Sequence, residues 1–125
     1  MSSDAALAQV LGDLDRATAP IGADRRTDLI VAYEPAWAIG QGTSSAPADQ
    51  VGIIHRGIRA WLEGHGYQPE QVRVIYGGSV DTPVAGGLLV QPGVDGLFVG
   101  RAALDPERFA AIARTPLSVR VAATA

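Results

Sequence analysis

Leu29-Ile30-Val31-Ala32-Tyr33-Glu34-Pro35-Ala36-Trp37-Ala38-Ile39-Gly40-Gln41-Gly42 is the stretch on which the fold turns. Its first five residues are a β-branched and aromatic run, short and apolar, which suits a buried parallel strand. The run delivers one carboxylate, Glu34, at its carboxyl end. It then stiffens through Pro35 and Trp37 and passes into a loop of small residues. In parallel α/β architectures, ligands and chemistry collect at the carboxyl ends of strands. A lone acid there, beside a loop able to close and exclude water, has what a general base needs. An arbitrary strand-end Glu is more often solvated surface, so the flanking segments must decide.

Upstream, residues 4 to 18 read as a helix, with Leu7, Val10, Leu11 and Leu14 at the three-and-four spacing of one apolar face. Pro20 and Gly22 end it. Downstream of a Gly/Ser/Thr loop from Gly40 to Ser45, Pro47 opens a second helix. Val51, Ile54, Ile58 and then Trp61 or Leu62 share a face of it, and Gly64 and Gly66 stop it. Val72 to Tyr76 is a second buried strand, closed by Gly77-Gly78-Ser79. Asp81-Thr82-Pro83 reads as a cap and first turn of a short helix to about Val90, weakened by Gly86-Gly87. Leu97-Phe98-Val99 forms a third strand between Gly96 and Gly100. Asp105-Pro106-Glu107 starts a last helix to about Arg114, and beyond Pro116 the tail reads as frayed.

One helix followed by three β-α units indicates a parallel sheet with helical crossovers. An eight-unit α/β barrel takes about 250 residues, and this chain has 125. The pattern therefore fits an incomplete barrel or a small open sheet.

Composition narrows the function classes. Hydrophobic residues make up 47% of the chain, enough for a buried core. No apolar run approaches the roughly 18 residues needed to cross a membrane. Met1-Ser2-Ser3-Asp4 lacks the order of a signal peptide, which makes cytoplasm the default location. Cysteine is absent, ruling out disulfides and thiolate metal sites. Net charge is −3 with interspersed signs, so there is no basic stripe for nucleic acid. All ten basic residues are arginine, so any anion site must use arginine or backbone N–H groups. His55 and His65 have no metal-ligand spacing and read as structural or solvated.

Each strand end carries glycine: Gly40 and Gly42 after the first, Gly77 and Gly78 after the second, Gly100 after the third. Glycine lets the backbone approach a ligand and turn its N–H groups to an anion. Ser79 adds a hydroxyl, and Gly100 to Ala103 precedes a helix whose N-terminus favours negative charge. Singly, each is most often a tight turn. Three in consecutive units, on one rim with Glu34, predict a small phosphorylated substrate held by main-chain donors. Arg101 reads either as a solvated side chain or as a cation placed against a ligand phosphate or hydroxyl.

At these residues the chain resembles the triosephosphate isomerase family. Tyr33 to Gly42 looks like its base-and-lid signature, Tyr76-Gly77-Gly78-Ser79-Val80 like its second phosphate loop, and Val94-Asp95-Gly96-Leu97-Phe98-Val99-Gly100 like its third. The resemblance covers residues from about 4 to 114 and matches the C-terminal half of a family member. It implies an α/β fold, a partial (β/α)8 TIM barrel of about three β-α units preceded by a helix. The family is a familiar worked case of a base, a neutral histidine electrophile and a closing loop. Carried over, Glu34 is the proton-shuttling base, Pro35-Ala36-Trp37 the first lid hinge, and Ala38, Ile39, Gly40, Gln41 and Gly42 the lid tip. Thr43-Ser44-Ser45 is the second hinge. The phosphate would meet N–H groups of Gly40, Ser79, Gly100 and Arg101. The implied activity is aldose–ketose isomerisation of a triose phosphate through an enediol, with no metal or organic cofactor.

Two residues depart from the family pattern. Arg101 replaces a glycine and Phe98 a leucine, which resembles the erythrulose-phosphate isomerase branch and implies a tetrulose phosphate as the alternative substrate. The family's lysine and histidine electrophile belong to its N-terminal half, so the resemblance implies little activity for the chain alone. The partners expected are a small phosphorylated sugar, and either a homo-oligomer or an N-terminal half. A non-catalytic phosphate-binding or assembly module is the competing expectation.

Overall fold

The computed structural model describes residues 2–38 and 44–124, with only the backbone described for Ala38 and 116–124. Helix α1 (Ser3–Thr18) leads through a 3-10 turn to strand β1 (Ile30–Tyr33). Helix α2 (Ala48–Gly64), strand β2 (Arg73–Tyr76), helix α3 (Thr82–Leu89), strand β3 (Gly96–Leu97) and helix α4 (Pro106–Thr124) follow. The three strands form one parallel sheet in the order β1-β2-β3. The expected alternation of helix and parallel strand is thus present. Among the described residues no helix is long and apolar enough to cross a membrane.

Local chemistry accounts for the element ends. The Ser2 side chain accepts from the N–H of Ala5 at the start of α1. Asp81 accepts from Thr82 N–H at 2.7 Å, with Pro83 in the first turn of α3. Asp105 accepts from the N–H groups of Glu107 and Arg108 at the start of α4. That helix runs through Pro116 to Thr124, ten residues past the Arg114 end expected from sequence. Leu117, Arg120, Ala122 and Ala123 favour its continuation, although the proline there forgoes a backbone bond.

Helices cover one face of the sheet. Leu14 of α1, Ile54, Ile58 and Leu62 of α2, and Val74 of β2 form the main core. Leu62, rather than Trp61, is the fully buried member of the last turn on that face. A Cβ on Gly57 would collide with the Leu7 side chain, so a glycine lets α1 and α2 pack this closely. Beyond α2, Val51, Tyr76, Val80, Leu88 and Val94 form a second cluster. Ala85, Ala102 and Ile112 join α3 to α4.

Two strand expectations are corrected. β1 is not buried: Ile30 is 63% exposed and Ala32 is exposed, while Val31 and Tyr33 are only half-buried. Side chains alternate across a strand, and β1 has helices on one face and no strand on its outer edge among the described residues. The third strand is Gly96–Leu97 rather than Leu97 to Val99. Its partner β2 ends at Tyr76, and after one further bond, Phe98 N–H to the Tyr76 carbonyl, pairing stops.

Candidate functional site

Parallel strands end on one rim, and the register fixes what meets there. Tyr33 pairs with Tyr76 and Tyr76 with Leu97, so Glu34, Gly77 and Phe98 come next, side by side. Gly77 N–H donates to the Tyr33 carbonyl at 3.0 Å. A Cβ on Gly77 would lie 2.9 Å from Glu34 Oε1 and 3.2 Å from Phe98 Cβ. The carboxylate therefore lies over a backbone that only glycine keeps clear. Glu34 itself is exposed, while Pro35 behind it is buried.

Downstream of Gly77 the loop turns sharply. Gly77 and Gly78 are buried and Ser79 half-buried. Ser79 adopts φ 52°, the one positive φ among the described non-glycine residues. A side-chain-bearing residue in that region stores strain, and such strain gathers at functional loops. Gly100 and Arg101, both exposed, follow β3 on the same rim, where Arg101 opens a 3-10 turn to Leu104. Glu34, the Gly77–Ser79 loop and Gly100–Arg101 thus share one end of the sheet, as the sequence predicts.

Of the residues expected to form a lid, Pro35, Ala36 and Trp37 are placed, with Ala36–Ala38 forming a 3-10 turn and Trp37 60% exposed. Ile39, Gly40, Gln41, Gly42 and Thr43 lie outside the described residues. Ser44 is exposed and Ser45 half-buried.

Sequence reasoning missed what the Tyr76 hydroxyl does. It accepts from Ala46 N–H at 2.9 Å and from Ser45 Oγ at 3.2 Å, and donates to the Gly78 carbonyl at 3.3 Å. One side chain thereby ties Ser45 and Ala46 to the Gly77–Ser79 loop. The only available signal was a tyrosine set directly before Gly-Gly, where a hydroxyl at a strand end needs partners. Burial, with Tyr76 beside it, pushes the Tyr33 hydroxyl above its ordinary range. At the outer side of the rim, hydrogen bonds from Arg108 and from Thr82 N–H hold Asp81 below the usual carboxylate range.

Beneath the rim, Asp95 accepts from Val74 N–H at 2.8 Å and pairs with Arg59 of α2, whose other nitrogen donates to the Pro69 carbonyl at 2.8 Å. A groove of about 760 Å³ opens beside β1, between Ala6, Val10 and Leu14 of α1 and residues 29–37.

Residues 2–116 match the family model described as triosephosphate isomerase. Over 106 residues the chain is 42% identical to triosephosphate isomerase of Bordetella pertussis, covering 82% of this chain and 42% of that protein. It is 46% identical over 90 residues to the triosephosphate isomerase of Chlorobium luteolum, covering 70% of the chain and 36% of the relative. With the cytosolic triosephosphate isomerase of Oryza sativa it shares 46% identity over 83 residues, 65% of the chain and 32% of the relative. The chain therefore spans well under half the length of these curated relatives.

Proposed function

The chain belongs to the triosephosphate isomerase family, and from that premise we propose that it carries the base and the phosphate-gripping loops of a sugar-phosphate isomerase. The observation that carries the reading is the Glu34 carboxylate lying over Gly77, on the rim where all three strand-end loops emerge. Glu34 removes a proton α to the substrate carbonyl, giving a cis-enediol, and returns it to the neighbouring carbon. N–H groups of Gly40, Ser79, Gly100 and Arg101 hold the phosphate, and lid residues from Pro35 to Gly42 exclude water. The substrate pair is glyceraldehyde 3-phosphate and dihydroxyacetone phosphate, in the cytoplasm. No metal or organic cofactor takes part in this reading.

Phe98 and Arg101 support a second substrate, a tetrulose phosphate. Phe98 stands next to Glu34 across Gly77, and the donor fork of Arg101 suits an extra hydroxyl. Comparing turnover of erythrulose phosphate with that of triose phosphate in the active assembly separates the two.

Catalysis needs an electrophile and a cation as well as a base. His55 lies in α2, buried beneath the rim, and His65 just beyond the helix, so neither histidine opens onto the rim as an electrophile. The outer edge of β1, which has no strand beside it among the described residues, and the groove next to it offer a place for a segment that supplies these groups, either a complementary N-terminal half or a second copy. The purified chain is expected to isomerise glyceraldehyde 3-phosphate negligibly, and to gain activity when mixed with an N-terminal half of a relative. In that mixture Glu34→Asp should lower kcat far more than it raises KM. Turnover by the chain alone would overturn the dependence on a partner. Full activity of Glu34→Gln would overturn the role of Glu34. Binding of phosphate without activity in any mixture would favour the non-catalytic module.

A further inference from the structure

His55 is a buried base that proton transfer at Glu34 does not use. It sits in the middle of α2 with no exposed surface, one layer beneath the rim. Its Nδ1 lies 3.1 Å from the Gly93 carbonyl. The bond assigns the proton of the neutral ring to Nδ1, which donates to that oxygen. Nε2 is left as an acceptor, and among the described residues it has no hydrogen-bond partner. Its ring packs instead against Tyr33, at 5.9 Å and 70°, and Tyr76, at 6.4 Å and 55°. Those tyrosines lie 6.0 Å apart and are the last strand residues before Glu34 and Gly77.

We propose that His55 is a positioning residue for the rim that works only as the neutral imidazole: proton uptake at Nε2 unseats Tyr33 and Tyr76, and with them Glu34 and Gly77. A proton there creates a donor with no acceptor and a charge cut off from water. The groups facing His55 do not offset this. Tyr33 and Tyr76 approach from β1 and β2, and the Gly93 carbonyl held by Nδ1 favours the cation but does not reach Nε2. Asp95 favours the cation and Arg59 disfavours it, and these two are paired with each other. Burial outweighs the rest and holds His55 below its ordinary value near 6.5.

The sign of the pH dependence follows. Between the lowered folded value and 6.5 the unfolded chain binds more protons, so the contribution to stability is full above about 6.5 and is lost as pH falls below it. One proton limits the change in the unfolding constant to about tenfold per pH unit. The functional meaning for turnover rests on Glu34 being the working carboxylate. The tests below involve neither sugar nor phosphate, so their failure is distinguishable from failure of that reading.

The experiment follows the His55 Cε1–H resonance of the full chain from about pH 8 to about pH 5. Alongside it come exchange protection of the Gly77 amide and urea unfolding of wild type and His55→Gln. The expected His55 midpoint lies below 6.5. From about pH 7.5 to about pH 5.5 the wild-type unfolding constant should rise by up to about tenfold more than that of His55→Gln. Gly77 protection, corrected for intrinsic exchange, should fall in the wild type alone. A midpoint at or above 6.5, an equal pH dependence in the variant, or unchanged Gly77 protection would overturn the proposal. If His55→Gln does not fold, the wild-type titration and Gly77 exchange still decide.

Discussion

β1 and β2 pair residue for residue, Ile30 with Arg73 through Tyr33 with Tyr76, yet their surroundings differ. β2 has a strand on each side, α2 packed against it, and Val74 and Tyr76 fully buried. The Asp95 carboxylate also engages the N–H of Val74 while holding Arg59. β1 ends the sheet, and its most exposed residue is an isoleucine facing away from the helices. Two strands of similar sequence character therefore do different work. β2 anchors the rim, and β1 presents Glu34 at the margin of an open groove.

The largest effect expected from breaking this contrast is at the anchor. Asp95→Ala should destabilise the chain by about 3 kcal/mol, the low end for a broken buried pair because both side chains keep about a fifth of their exposure. Urea unfolding would measure it, and a loss as small as that of a surface variant would contradict the anchor role. Matched truncations come next. Val74→Ala should cost about 2 kcal/mol, and Val31→Ala about half as much, because Val31 is only half-buried. Equal losses would erase the distinction between the strands.

Tyr76→Phe should cost about 1 to 1.5 kcal/mol, by stranding Ala46 N–H and the Gly78 carbonyl. Amide exchange should rise at Ala46 but not at Leu62, where a uniform rise would indicate mere loosening. The smallest effect belongs to Ile30→Thr, within about 0.5 kcal/mol in the free chain. The same change should weaken pairing with a complementary half in sedimentation if the β1 edge is where that partner docks.

Much of this was legible in the sequence because it depends on neighbours along the chain. The caps at Asp81 and Asp105, the apolar face of α1 and the order of strand-end loops all follow from local spacing. The rim was legible too, since parallel strands must end together once Glu34, Gly77 and Gly100 each follow one. What escaped depends on neighbours in space. The run from Leu29 to Tyr33 has a buried strand's composition, but burial requires elements on both faces and both edges. Likewise β3 is short because its partner turns away at Gly77, a fact held in another segment. His55 and the Tyr76 hydroxyl acquire their roles only when α2 is laid across the strand ends.

The most direct test of the site is a titration of the full chain with dihydroxyacetone phosphate, followed by backbone amide NMR. A convergent rim predicts saturable shifts at Ser79, Gly100 and Arg101, with Glu34 affected alongside them. Shifts confined to the opposite end of the strands, around Leu29 and Arg73, would contradict the account.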